Sequence, residues 1–186
     1  MTRRMSPVHA LERWHDFYVL VGTAGATLVG LLFVALSIGA GFLSSQRAAP
    51  TRAFFSPVVV HFAAVLIVSA LALAPEHASI VVSVAIGICA VVGEVVSIFT
   101  TIQLLRYRWT NYVQDHVSYG LLPALCYAGL LVAAWMILAG NERALDLLAG
   151  ALLLLLVVNI RNAWDLMLSM VHHQTERAER ERTKDN

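Results

Sequence analysis

Charge is what this chain has least of. Asp, Glu, Lys and Arg make up 13% of its 186 residues, about half their share in a soluble globular domain. Those charges gather at the two ends and in short connectors, leaving long stretches with almost none. The pattern excludes an ordinary water-soluble domain, whose surface needs charge throughout. The net charge of +1 excludes a nucleic-acid binder, which would carry a basic face. Only two cysteines occur, Cys89 and Cys126, both inside apolar runs and without C-x-x-C or zinc-like pairing. They read as free thiols acting as small apolar residues. Their similar depth leaves a disulfide open without requiring one. Walker A, H-E-x-x-H, G-x-S-x-G and haem-attachment motifs are all missing. No enzyme class and no cofactor is indicated. His172-His173 point to different sides of a helix and read as surface groups rather than a metal site.

What is abundant is apolar: 59% of the residues. A membrane-crossing helix needs about 20 mainly apolar residues for roughly 30 Å of hydrocarbon. Five stretches qualify, at about 17–43, 54–74 (closed by Pro75), 79–105, 118–139 and 144–171. Period-two alternation is absent, so these are helices rather than barrel strands. The polar amino end is too long for a secretory n-region and the apolar run after it too long for a signal core, so the first stretch reads as a retained span. The connectors SSQRAAPTR, PEHA, RYRWTNYVQDH and GNER are short and leave no room for a soluble domain. The expected fold is all-α: one polytopic bundle over 1–171 and a charged tail, 172–186. In the tail, Glu176 with Arg180 and Arg177 with Glu181 are spaced to support a helix continuing into water.

Orientation follows from the lysine and arginine balance. With the N-terminus outside, the cytoplasmic side receives Arg47, Arg52, Arg106, Arg108, Arg177, Arg180, Arg182 and Lys184, with Arg161 near it. The outer side receives Arg3, Arg4, Arg13 and Arg143. The bias favours a cytoplasmic C-terminus. Trp14, Phe17, Tyr18, Phe54, Phe55, Trp109, Tyr112 and Trp164 lie where interfacial aromatic belts would.

Glu94 is the sharpest departure from a plain lipid anchor. A carboxylate at the bilayer centre costs about 2.5–3.5 kcal/mol even on lenient scales, so Glu94 is expected to be protonated, paired or facing a wet cavity. Ser83, Gly87, Ala90, Glu94, Ser97 and Thr101 fall at steps of four and three, one stripe of small and polar residues along the third span. A tight packing seam accounts for the small members but has no need of the acid. His61 in the second span, and Asn159, Arg161, Asn162 and Asp165 in the fifth, bring polar groups toward the same side of the membrane. Arg161 and Asp165 are spaced to pair on one helical face, and Arg161 beside Trp164 also suits snorkelling to the headgroups. Sequence alone does not show whether Glu94, His61 and Arg161 meet. In the first span Gly22, Ala26 and Gly30 form a small-xxx-small row that permits close helix packing, within a molecule or between protomers. A small bundle gains a large interface most directly by self-association, so a homo-oligomer is expected.

The run Trp14-His15-Asp16-Phe17-Tyr18, followed by GTAGATLVGLLFVALS from Gly22 to Ser37, resembles the opening of a family of small bacterial membrane proteins of no established activity. The Ala74-Pro75 close of the second span resembles it too. Members are sometimes labelled modulators of the membrane protease FtsH. The resemblance implies a bacterial inner-membrane location and carries over no catalytic residues.

The sequence therefore points to a non-enzymatic, oligomeric membrane protein with an ion- or proton-conducting pathway around Glu94. That pathway would draw on His61, Ser97, Thr101, Asn159, Arg161, Asn162 and Asp165. The alternative is an accessory subunit that binds another membrane complex, such as a membrane protease, through its spans or tail. An embedded enzyme or metal protein using His61 and Glu94 is a third reading.

Overall fold

A computed structural model describes residues 7–38, 48–74, 79–107 and 117–184. They form five helices and, among the described residues, no strand: α1 (Pro7–Ile38), α2 (Ala48–Ala72), α3 (Ser79–Tyr107), α4 (Leu122–Leu138) and α5 (Ala144–Lys184). A π-helical turn, Val117–Leu121, leads directly into α4. Four helices contain segments long and apolar enough to cross a membrane: Trp14–Ala35, Ile80–Gln103, Ser118–Leu138 and Ala144–Leu168. In α2 the apolar segment Pro57–Ala72 is shorter. This is the build of a multi-pass membrane protein. Pro75, Trp109, Tyr112, Arg47 and Arg108 lie outside the described residues, as do the side chains of the C-terminal tail.

Packing follows from which faces can be buried. In α5, 50% of the span window is buried, against 28–33% for the other three spans, so α5 is the central staff of the bundle. It packs against α1, α2 and α4; α2 packs against α1, α3 and α5, and α3 against α4. The core contains Tyr18, Phe62, Val65, Ile86, Tyr127, Leu130, Leu148, Leu152 and Leu155. On the outside, Leu20, Phe33, Ile80, Val81, Phe99 and Trp135 are exposed. In water such a surface would aggregate, whereas in a bilayer it is the face that meets lipid.

Two local features fix the frame. Gly140, at φ 68°, takes the left-handed conformation that lacks a steric cost only for glycine. Its N–H donates to the Ile137 carbonyl, and that of Asn141 to the Met136 carbonyl, ending α4. Asn141 Oδ1 then accepts from the Arg143 N–H at 3.0 Å, so GNER makes a tight hairpin into α5. At the near end of the bundle, the Tyr18 hydroxyl donates to the Leu145 carbonyl at 2.9 Å, tying the start of the apolar segment of α1 to the start of α5. At the other end of α4, Pro123 is its second residue. It has no N–H for the Tyr119 carbonyl four residues back, and the wider π-turn immediately upstream absorbs that missing bond.

Close helix approach is confined to a few glycines. A Cβ on Gly22 would sit 3.1 Å from Ser69 Cβ, and one on Gly25 would sit 3.2 Å from the Phe62 carbonyl. The seam between α1 and α2 thus runs through Gly22 and Gly25. Of the expected row, only Gly22 packs within the chain; Ala26 and Gly30 lie on the exposed face, and nothing lies within 4 Å of a Cβ on Gly30.

Candidate functional site

The polar residues of the spans fall into an interior set and an outward pair. The interior set begins at mid-bundle. His61, 1% exposed, has its Nδ1 hydrogen-bonded to the Tyr127 hydroxyl at 2.7 Å. The two rings lie 5.4 Å apart. Among the described residues the backbones of α2 and α4 do not approach one another, so this bond bridges two helices that are not backbone neighbours. The ring gets there through a notch: a Cβ on Gly93 of α3 would overlap Tyr127 Cε1 and Cζ. Glu94, Cys89 and Cys126 lie within electrostatic reach of the Tyr127 hydroxyl. Both cysteines are free thiols, Cys126 buried and Cys89 half-buried.

Glu94 is half-buried at the edge of the inward face of α3. Its Oε2 is buried without a hydrogen-bond partner, and so is Nε2 of His61. Unpaired buried polar atoms are rare in native proteins, because each forfeits its solvation. Their presence on neighbouring helices at mid-bundle marks the site.

Toward the far end, the stripe along α3 continues inward with a consistent chemistry. Ser97 Oγ donates to the Gly93 carbonyl at 2.9 Å. Thr100 Oγ1 donates to Val96 and Thr101 Oγ1 to Ser97, each at 2.8 Å. On α5, Asn159 Nδ2 donates to the Leu155 carbonyl at 2.8 Å and Asn162 Nδ2 to the Ser118 carbonyl at 3.0 Å. A carbonyl partner requires the amide nitrogen on that side. Asn159 Oδ1 and Asn162 Oδ1 therefore point elsewhere, and both are buried and unpartnered. In all five residues the described bond engages the donor, and oxygen lone pairs remain.

The π-turn anchors this end. Tyr119 OH donates to the Asn162 carbonyl at 2.9 Å, and with the Ser118–Asn162 bond it ties α4 to α5. Gly120 sits against Thr101, where a Cβ would collide with the threonine Oγ1, and this ties the turn to α3 as well.

Arg161 and Asp165 are the outward pair. Arg161 Nε lies 3.9 Å from Asp165 Oδ2, with side chains 46% and 40% exposed, and Arg161 Nη1 donates to Ser118 Oγ. Neither contacts His61 or Glu94 through any described hydrogen bond or ion pair. The two faces that the spacing of the fifth span assigns to these four residues thus differ in burial, with Asn159 and Asn162 inward and Arg161 and Asp165 outward. No grouping of three or more His, Cys, Asp or Glu suited to a metal occurs among the described residues.

Sequence reasoning missed Tyr127, Ser118 and Tyr119. An aromatic or a serine in an apolar span has no distinguishing period. The one available signal was Gly93 beside Glu94, a gap on the inward side of α3 wide enough for a ring. Compared with known proteins, the chain matches no protein-family model, no curated protein and no solved structure.

Proposed function

We propose that this protein conducts protons or small cations through its bundle, with Glu94 as the titrating or coordinating group. The observation that carries the reading is the chemistry of the interior. Glu94 Oε2, Asn159 Oδ1 and Asn162 Oδ1 are buried oxygens without partners. The hydroxyls of Ser97, Thr100 and Thr101 have given their hydrogens to their own helix. These spare lone pairs accept hydrogen bonds from water or hydronium, or replace the hydration of a cation; among the buried unpartnered groups, the hydroxyls of Ser69 and Ser83 can still donate. His61 and Tyr127 stand beside Glu94 as a hydrogen-bonded pair that holds three helices in register around it.

In this reading all five helices cross the membrane, including α2, whose helix of 25 residues is about 37 Å long at 1.5 Å per residue. The N-terminus lies outside and the C-terminus in the bacterial cytoplasm, and Ala26 and Gly30, exposed on α1, meet a second copy. Protein reconstituted in liposomes should show a flux that depends on pH or cation identity and that Glu94→Gln abolishes. An absence of flux from correctly folded wild type refutes the reading.

A second reading is favoured by α5, whose 41 residues span about 60 Å, twice the hydrocarbon thickness. Its charged end would project from the membrane and engage a partner complex such as a membrane protease. Crosslinking in native membranes separates the two: one stoichiometric foreign partner supports the accessory role, and self-crosslinks alone support the oligomeric pathway.

A further inference from the structure

The conduction reading leaves Arg161 and Asp165 without a role, and their setting points to one. Residues 157, 160, 161, 164, 165 and 168 follow the helical spacing of a single face. On that face Val157, Ile160, Trp164 and Leu168 are 45–65% exposed, so it looks away from the bundle. Its depth is fixed by neighbours. Arg161 bonds Ser118, two residues past the polar stretch that ends at His116, and the Gly120 turn beside it abuts Thr101, five residues before Arg106. The pair therefore stands where the hydrocarbon gives way to headgroups, with Val157 and Ile160 on the hydrocarbon side.

The pair is charged but not closed. A guanidinium–carboxylate pair in full contact forms two parallel bonds of about 2.7–2.9 Å; here the nearest approach is 3.9 Å, with both side chains half-exposed. Ser118 holds one guanidinium nitrogen, and the guanidinium has five N–H donors in all, so donors remain on its open side. Asp165 has no described hydrogen bond to a donor of its own beyond this loose pairing. One helical turn thus offers an outward cation and an outward anion side by side, with the exposed Trp164 on the same face and an apolar strip leading into the bilayer.

We infer that Arg161 and Asp165 form a docking site for a zwitterionic phospholipid with a primary ammonium headgroup. The phosphate accepts from Arg161, the ammonium donates to Asp165, and an acyl chain lies along Ile160 and Val157. Charge complementarity selects the occupant. A purely anionic headgroup satisfies Arg161 but meets the Asp165 carboxylate. A choline headgroup has no N–H to give that carboxylate. This inference does not depend on conduction, since neither residue faces the interior.

The test is native mass spectrometry of the purified full-length protein titrated with phosphatidylethanolamine, phosphatidylcholine or phosphatidylglycerol. Phosphatidylethanolamine should be retained about tenfold over phosphatidylcholine, the scale of one hydrogen bond to a charged group. Asp165→Asn should bring the two to parity, and Arg161→Gln should weaken retention of all three. Asp165 is half-exposed, so its variant should fold; matched unfolding curves establish that. Equal retention of the ethanolamine and choline lipids by wild type overturns the proposal. So does a preference untouched by Asp165→Asn, or phosphatidylglycerol held more tightly than phosphatidylethanolamine.

Discussion

Gly93→Ala should be among the most damaging single-methyl changes in this bundle. The added Cβ would overlap Tyr127 Cε1 and Cζ, and that ring has little freedom to retreat. Tyr127 is 0% exposed, and its hydroxyl is tethered to His61. Overpacking of a filled core costs about 1–3 kcal/mol. Displacing the ring also breaks the His61 bond and strands two buried polar groups, about 1–3 kcal/mol more. Against this, alanine gains up to about 1 kcal/mol over glycine in a helix interior. The net loss is about 1–5 kcal/mol, a roughly 5- to 4,000-fold fall in the folded-to-unfolded ratio at about 1.4 kcal/mol per decade. Reversible unfolding in mixed micelles, followed by tryptophan fluorescence, measures it. The decisive control is a double-mutant cycle. In a Tyr127→Ala background the ring is gone, and Gly93→Ala should cost less than about 1 kcal/mol or be stabilising. The reasoning fails if Gly93→Ala unfolds like wild type, or if its cost is the same in both backgrounds.

Three other outcomes follow from the same geometry. Gly25→Leu should separate α1 from α2, whose backbone lies 3.2–3.3 Å from the site of a Cβ, and should lower the unfolding midpoint sharply. Gly30→Leu meets nothing within the chain and should leave that midpoint unchanged, while shifting oligomer crosslinking if α1 contacts a second copy. Tyr119→Phe removes the bond to the Asn162 carbonyl and should cost about 1 kcal/mol in the same unfolding assay. It should also raise hydrogen exchange in the Val117–Leu121 turn.

The helices were easy to read because lipid imposes one solution on backbone polar groups. The expected spans at 79–105, 118–139 and 144–171 enclose the apolar segments Ile80–Gln103, Ser118–Leu138 and Ala144–Leu168. Boundaries were harder where polarity and helicity part company: α2 begins at Ala48, ahead of its apolar run, because a helix can start in water. The polar stripe of α3 was visible from spacing alone, and Ser83, Ala90 and Ser97 are indeed buried. Which groups it would meet was not visible, since partners across helices depend on rotation and tilt that no single-helix period encodes. Tyr18 illustrates the limit. It reads as a belt aromatic, yet it is 1% exposed and bonds to Leu145 across 127 positions of sequence. Spacing alone pairs Arg161 with Asp165 and puts Asn159 and Asn162 on another face; only the fold shows which of the two faces is buried.

The π-turn at Val117–Leu121 has a consequence best put in the language of insertions. A π-turn is an α-helix carrying one surplus residue, so in register this turn behaves as a one-residue insertion upstream of an otherwise ordinary span. Removing a residue there would let the α-helix of α4 run on with the same faces to α3 and α5 and almost the same hydropathy. The faces on either side of the turn would keep their register, because a π-turn takes up its surplus residue locally; what is lost is the widened turn that sets Ser118 against Arg161 and Asn162 and Gly120 against Thr101. A change that looks silent on a hydropathy plot would thus leave the span in the membrane and unfasten the end of the bundle.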